Sequence, residues 1–252
     1  MIVIPAIDLL AGNAVRLREG RRADATIYHE RPWELAAAFA AARVIHVVDL
    51  DAAFDGAAAR QVDLVRRVIQ AARRPAPEGV LAGLRVPVQL GGGLRDRPTI
   101  EAALAAGAAF AVLGTAAVRD PALVESVCRA HPDRIIVAVD AKDGRVAVDG
   151  WAATSDVDAA DLARRAADWG AAKILYTDVA RDGLRTGPAL DATFRLQAAV
   201  TCPVIASGGV SSLADLRALA AAGVRECIVG RALYDRVFTL AEAIEAAAGA
   251  TC

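Results

Sequence analysis

The sequence has few aromatic residues and no long uninterrupted apolar segment. Phenylalanine, tryptophan and tyrosine make up 4% of the 252 residues. Charged residues interrupt the alanine-rich stretches well before the ~18 consecutive apolar residues that a membrane helix needs. The N-terminus reaches Pro5 and Asp8 too early for the apolar segment of a secretory signal. We therefore expect no membrane partner.

An excess of charge of one sign is also lacking, since 29 basic residues face 30 acidic ones. This balance provides no overall field to attract nucleic acid, so we expect no nucleic-acid partner. The four cysteines form no CxxC pair, and the three histidines, His29, His46 and His131, have no metal-like spacing. We expect no metal site and a reducing, cytoplasmic location.

Eight short apolar runs alternate with amphipathic stretches, such as residues 120–129, that have helical periodicity. The predicted strands cover residues 2–7, 44–50, 86–90, 110–113, 135–139, 174–177, 204–206 and 227–229. Strict alternation of strand and helix indicates a parallel sheet covered by helices. Eight such units predict an α/β fold of the (βα)₈ TIM-barrel type, with an open doubly wound sheet as the rival.

An internal repeat favours the closed barrel, because the two halves of the chain align. Residues 87–94 (PVQLGGGL) match residues 203–210 (PVIASGGV) without gaps, and Gly114 matches Gly230 at the same spacing. Asp8 aligns with Asp140 in a similar sequence context, and Asp51 aligns with Asp178. The segment 73–85, which is rich in proline, is interpreted as a loop. We expect one catalytic domain over residues 1–252 with a twofold half-barrel repeat.

Several polar residues follow predicted strands, where barrel active sites assemble. Asp8 and Asp140 follow strands that face each other across the barrel, a geometry that suits a general base and a general acid. A lone aspartate at such a place is more often a turn or helix cap, but two in equivalent contexts favour a shared site. Thr177 and Asp182 are further candidates, with capping as an equal alternative.

Glycine pairs after four strands predict two phosphate sites, because backbone N–H groups without a neighbouring Cβ can approach an anion. The two sets are Gly92, Gly93, Gly114 and Thr115 in one half, and Gly208, Gly209, Gly230 and Arg231 in the other. Gly20 is a further candidate for these sites. Trp151 could stack on a planar heterocycle or simply pack against the rim. Together these residues predict a small substrate with two phosphates.

The motifs taken together resemble the ProFAR isomerases of histidine biosynthesis. They are residues 4–9 (IPAIDL), 89–95 (QLGGGLR), 113–116 (LGTA), 176–183 (YTDVARDG) and 204–212 (VIASGGVSS), in the family's order. The resemblance implies an Amadori rearrangement of the aminoaldose ProFAR to the aminoketose PRFAR, without a cofactor. It also implies that Asp8 is the general base and that Asp140 is the general acid. We expect the protein to act as a monomer.

Alternatives remain at this point. The cyclase component of imidazole-glycerol-phosphate synthase shares the repeat, but it typically has cysteine where this chain has Ala6. A dual-substrate isomerase that also accepts phosphoribosylanthranilate is the second, because Arg18 or Arg145 could meet its carboxylate. A non-catalytic phosphosugar-binding barrel would not need both Asp8 and Asp140.

The sequence departs from the family's pattern at residues 51–60, where this loop is richer in alanine than the loop of relatives.

Overall fold

Eight parallel strands close into a ring, and two hairpins extend from it. The computed structural model describes residues 1–18, 20–56, 60–72, 85–184 and 186–249. The strands are β1 (Ile2–Leu10), β2 (Asn13–Arg18), β3 (Arg21–His29), β4 (Ile45–Asp49), β5 (Val88–Gly91), β6 (Phe110–Leu113), β7 (Ile135–Lys142), β8 (Arg145–Val148), β9 (Ala153–Asp158), β10 (Lys173–Asp178), β11 (Val204–Ser207) and β12 (Glu226–Val229). Parallel pairings of β10 with β7 and of β1 with β12 complete the ring. The predicted barrel is confirmed.

Helices cover the outside of the ring. They are α1 (Pro32–Ala38), α2 (Leu50–Asp55), α3 (Val62–Ala71), α4 (Arg97–Ala105), α5 (Thr115–Arg119), α6 (Pro121–Ala130), α7 (Ala159–Asp168), α8 (Leu190–Ala199), α9 (Leu213–Ala221), α10 (Arg231–Tyr234) and α11 (Leu240–Ala248). Asp96, Ser212 and Thr239 begin α4, α9 and α11 with capping boxes, which satisfy backbone N–H groups of the first turn. Most of the segment 73–85 lies outside the described residues, as do residues 57–59.

The strands bury side chains on both faces, which explains why they are continuous apolar runs. On β1, Ile7 and Leu9 pack against the helices, whereas Ile4 and Ala6 fill the barrel interior. Val112, Ile136 and other interior side chains complete a packed core inside the ring. Because this core fills the barrel, a ligand can bind only at an end of it.

The two hairpins were not predicted from the sequence. β2 and β3 follow β1, and β8 and β9 follow β7, at equivalent places in the two halves. β3 is mostly exposed and β9 only partly buried, so neither has the apolar run that identified the barrel strands. As a result, Asp8 and Asp140 do not cap turns or helices. Each lies inside a strand that continues from the barrel into a hairpin.

The structure also corrects the alignment of the two halves at β4 and β10. A Cβ on Gly92 would meet backbone atoms of Asp49, and a Cβ on Gly208 would meet backbone atoms of Asp178. Asp49, and not Asp51, is therefore the equivalent of Asp178. Strand pairing agrees, since His46 lies beside Gln89 and Leu175 beside Ile205. It follows that Thr177 and Asp182 correspond to Val48 and Ala53.

Gly92→Ala is expected to destabilise the fold strongly. Gly92 has φ +100°, and a Cβ there would lie 2.1 Å from the Asp49 carbonyl oxygen. Positive φ alone costs about 1 kcal/mol for alanine, and displacing backbone should bring the loss above ~3 kcal/mol. Gly12→Ala is the control, since Gly12 has φ +86° with no atom within 4 Å of the added Cβ. Equal unfolding midpoints for both variants would contradict the prediction.

Candidate active site

A cavity of about 200 Å³ lies at the carboxyl end of the barrel strands. Ten of the residues singled out in the sequence line it: Asp8, Gly20, Gly92, Gly93, Gly114, Thr115, Asp140, Trp151, Thr177 and Asp182. β1 and β7 are four strands apart in the ring, so Asp8 and Asp140 approach the cavity from opposite sides. One bound molecule can therefore contact both carboxyl groups.

Asp8 forms an ion pair with Arg16, which the sequence analysis did not identify. The Arg16 Nη1 atom lies 2.8 Å from Asp8 Oδ2, and the two side chains are 9% and 16% exposed. Burial raises the pKa of Asp8, Arg16 opposes that rise, and the neighbouring charge of Asp182 adds to it. A cation held against this carboxyl group favours its ionised form.

Asp140 faces uncharged donors instead of a cation. The Trp151 indole N–H donates to Asp140 Oδ2 at 2.8 Å, and the Thr177 side chain also forms a hydrogen bond with this carboxyl group. Burial nevertheless raises the pKa of Asp140 above its usual value. The surroundings of Asp140 therefore favour its ionised form less than the surroundings of Asp8 do.

Asp182 is the third carboxyl group in the cavity. Burial raises its pKa, while Arg16 and a hydrogen bond from the Gly183 backbone N–H oppose the rise. Arg16 therefore acts on both Asp8 and Asp182. The equivalent wall in the first half carries Val48 and Ala53, so the two halves present different chemistry to the cavity.

The first set of glycines reaches the cavity. Gly92 and Gly93 have positive φ, and their missing Cβ atoms make room for the backbone of Asp49 and Ala52. Gly114 and Thr115 lie at the end of β6, and Thr115 Oγ1 accepts a hydrogen bond from the Asp149 backbone N–H at 2.9 Å. Tight packing of the loops therefore explains why glycine occupies positions 92 and 93, whether or not a ligand binds there.

The second set lies beside the cavity and not in its lining. Gly209 packs against Gly187, whose N–H donates to the Gly209 carbonyl. Arg231 donates to the Gly183 carbonyl at 2.7 Å, and so connects α10 to the loop after β10. Gly230 leaves room for Arg16, because a Cβ there would lie 1.9 Å from Arg16 Nη2. In this structure the loop after β10 covers part of the second set.

Trp151 connects the loops after β1 and β7. A Cβ on Gly20 would lie 2.4 Å from the Trp151 ring, so the indole packs directly on this glycine. Asp149, Gly150 and Trp151 all have positive φ, which turns the indole toward Asp140. Here the ring packs on the rim and donates to a carboxyl group, and stacking on a ligand remains a prediction.

Trp151→Phe is expected to move the pH dependence of any turnover that requires protonated Asp140. The indole hydrogen bond lowers the pKa of Asp140, so its loss should raise that pKa and shift the alkaline limb of kcat to higher pH. Phenylalanine keeps an aromatic face over Gly20. The control is Trp33→Phe. Trp33 lies on α1, outside the cavity lining, and Arg67 lies over its ring. An unshifted alkaline limb in Trp151→Phe would count against this coupling.

Four further polar side chains line the cavity without having been predicted as site residues: Arg16, His46 on β4, Arg95 and Ser207. An arginine between Val15 and Leu17 on a hairpin strand was a usable signal, because it interrupts an otherwise apolar segment. Arg145 lies outside the cavity lining, and it donates to the Asp156 carbonyl at 2.8 Å. The Arg18 side chain lies outside the described part.

The described residues contain no group of three or more His, Cys, Asp or Glu side chains placed to hold a metal ion. Among the same residues, no helix is both long enough and apolar enough to span a membrane.

Comparison with known proteins identifies the family. A family model described as histidine biosynthesis protein matches residues 2–239. Two relatives are named 1-(5-phosphoribosyl)-5-((5-phosphoribosylamino)methylideneamino) imidazole-4-carboxamide isomerase. The one from Sorangium cellulosum is 54% identical over 98% of this chain and 99% of its own length. The one from Rhodospirillum rubrum is 52% identical over 97% of this chain and 98% of its own length. The chain therefore belongs to the histidine biosynthesis protein family.

Proposed function

We propose that this protein is an isomerase that converts ProFAR to PRFAR by an Amadori rearrangement, aminoaldose to aminoketose, in histidine biosynthesis. ProFAR is the compound in the name of its relatives, and it carries two phosphoribosyl groups. The observation that carries the proposal is the pair of unlike carboxyl groups, Asp8 and Asp140, on opposite sides of one cavity. A binding protein would have no need for both.

Asp140 is the general acid in this proposal. Ring opening of the aminoaldose requires a proton at the ribose ring oxygen as the C1′–O bond breaks. A donor must be protonated near neutral pH, and Asp140, whose pKa is raised by burial, has no cation paired with it, unlike Asp8. Trp151 and Thr177 orient its carboxyl group.

Asp8 is the general base that removes the proton from C2′. A base must be ionised when the substrate binds, and the ion pair with Arg16 favours the carboxylate. One residue cannot face both the ring oxygen and the C2′ proton, so the reaction needs two groups. Asp182 and Thr177 support the site through hydrogen bonds and charge.

The glycine sets bind the two phosphates in this proposal. Gly92, Gly93, Gly114 and Thr115 form the first site. Gly208, Gly209, Gly230 and Arg231 form the second once the loop after β10 moves aside. Gly20 and Trp151 contact the imidazole part of the substrate. Thr115 and Gly20 already contact the hairpin loop that carries Trp151, which connects ligand binding to the position of the indole.

The remaining assignments follow from the same proposal. The chain acts as one catalytic domain over residues 1–252, as a monomer, in the cytoplasm, and with a small bis-phosphorylated molecule as its substrate. Analytical ultracentrifugation of the purified protein tests the monomer assignment.

A substrate panel tests the function itself. Purified protein is incubated with ProFAR, with PRFAR plus ammonia, and with phosphoribosylanthranilate, and each product is followed by absorbance and chromatography. We expect conversion of ProFAR alone. Turnover of PRFAR plus ammonia would replace the proposal with the cyclase reaction, and turnover of phosphoribosylanthranilate in addition to ProFAR would extend it to two substrates.

A further inference from the structure

A buried amide lies beneath the cavity, in a layer where the barrel otherwise holds apolar side chains. Gln89 on β5 is fully buried, and its Oε1 has no hydrogen-bond partner among the described residues. The equivalent position in the second half is Ile205, which is also fully buried. A buried polar atom without a hydrogen-bond partner lowers the stability of the fold. An apolar residue would therefore be more stable at position 89.

The amide has one partner, which is a histidine of the site. Gln89 Nε2 lies 3.1 Å from His46 Nδ1, and His46 lines the cavity whereas Gln89 lies below it. With the amide in this orientation Nε2 of Gln89 donates and Nδ1 accepts, which places the ring proton of a neutral imidazole on Nε2 of His46. His46 has no other hydrogen-bond partner in the described part of the chain.

Burial and a nearby positive charge keep the His46 imidazole neutral. Burial and the positive charge of Arg16, on β2, lower its pKa to about 3. Its neighbours across the adjacent strands are Ala6 on β1 and Gln89 on β5, neither of which is charged. His46 therefore does not change charge over the range in which enzymes are assayed.

We propose that Gln89 is a positioning residue, which holds His46 as the neutral Nε2–H tautomer so that the imidazole offers one fixed hydrogen-bond donor to an oxygen of the bound sugar. A neutral donor can stabilise a sugar oxygen without competing with Asp8 and Asp140 for protons. The contact with the sugar rests on the proposed function, but the tautomer does not.

Nitrogen NMR of the ligand-free protein tests the tautomer directly. The chain has three histidines, so ¹⁵N-histidine labelling gives few signals, and the His46→Asn variant assigns the relevant one. We expect a protonated Nε2 and an unprotonated Nδ1, unchanged between pH 6 and 8. A protonated Nδ1, or a change of state within that range, overturns the proposal. This result is obtained even if ProFAR is not the substrate.

Gln89→Met separates positioning from packing. It removes the donor and the unpaired oxygen together, so the unfolding midpoint should stay the same or rise, while kcat for ProFAR falls about 10-fold with KM within twofold. The His46 signal should become a mixture of tautomers. Ile205→Met, at the equivalent apolar position, is the control and should keep both kcat and the His46 signal. Parent-like kcat and tautomer in Gln89→Met would overturn the proposal.

Gln89→Glu supplies the opposite result. A carboxylate beside Nδ1 should draw the ring proton there, so the NMR signal should report a protonated Nδ1, and kcat should fall below that of Gln89→Met. If the parent protein fails to convert ProFAR, the proposed function fails, and the NMR measurements still decide the role of Gln89.

Discussion

Asp8→Asn and Asp140→Asn are each expected to slow ProFAR turnover by about 10²–10⁴-fold, the usual contribution of a general acid or base. Asparagine keeps the size of the side chain and removes proton transfer. Trp151 and Arg16 would still contact the substituted side chains, so KM should change much less than kcat. Steady-state kinetics measure both parameters.

The same two variants should differ in stability. Burial raises the pKa of Asp140 in the folded state, so its carboxylate lowers stability at neutral pH, and this cost disappears as the pH falls through the folded-state pKa. Asp140→Asn should therefore be at least as stable as the parent at pH 7, with a smaller difference in acid. Thermal unfolding at several pH values measures this.

Asp8→Asn should be the less stable of the two, because it leaves the Arg16 guanidinium buried without its nearest carboxylate. Part of this loss is offset, because the substitution also removes a buried charge whose pKa is raised by desolvation, and Asp182 remains near Arg16. Turnover within a few-fold of the parent in both variants would refute the acid and base roles. Unfolding of both variants would instead indicate a structural role for the carboxyl groups.

Gly230→Ala is expected to lower kcat/KM by about 10- to 100-fold through Arg16. The glycine has φ −108° and ψ −97°, close to the φ −103° and ψ −89° of Gly114, so any backbone cost of alanine is common to the two positions. The added methyl group would overlap Arg16 Nη2 and displace the guanidinium from Asp8. Since Arg16 lowers the pKa of Asp8, that pKa should rise, and the acid limb of kcat/KM should move to higher pH.

Gly114→Ala is the matched control, since Gly114 occupies the equivalent position in the first half. Its φ is −103°, and an added Cβ would make only an ordinary 3.7 Å contact with Ala138. Both variants can raise KM by crowding a phosphate. Only Gly230→Ala should move the acid limb, and a limb that moves equally in both, or in neither, would contradict the role of Arg16.

The barrel could be predicted because its strands are buried on both faces. Runs such as residues 135–139 contain only apolar side chains. A short continuous apolar run is typical of a strand that is buried on both faces. The hairpin strands β3 and β9 lie mostly at the surface, so their sequences resemble loops. The equivalence of Asp49 with Asp178 was missed because the spacing of Asp51 and Asp55 imitates that of Asp178 and Asp182.

The site was predicted where glycine and aspartate recur in both halves, and at Thr177 and Asp182 after one strand, but Arg16 and His46 were missed. Asp8 and Asp140 repeat, so they could be found from one sequence. Arg16 is equivalent to no basic residue in the second half, and its role depends on the space left by Gly230, which only coordinates reveal. Gln89 and His46 lie side by side on neighbouring strands but far apart in the sequence. Their hydrogen bond therefore could not be predicted from the sequence around either residue.

The unlike walls of the cavity have a consequence for the direction of binding. A molecule with similar phosphoribosyl ends could enter a symmetric barrel in two orientations, of which only one places the reacting ribose between Asp8 and Asp140. Val48 and Ala53 form one wall, and Thr177 and Asp182 form the other. If the two glycine sets bind the phosphates as proposed, the repeat supplies two matching anchors, and the difference between the walls sets a head and a tail for the ligand.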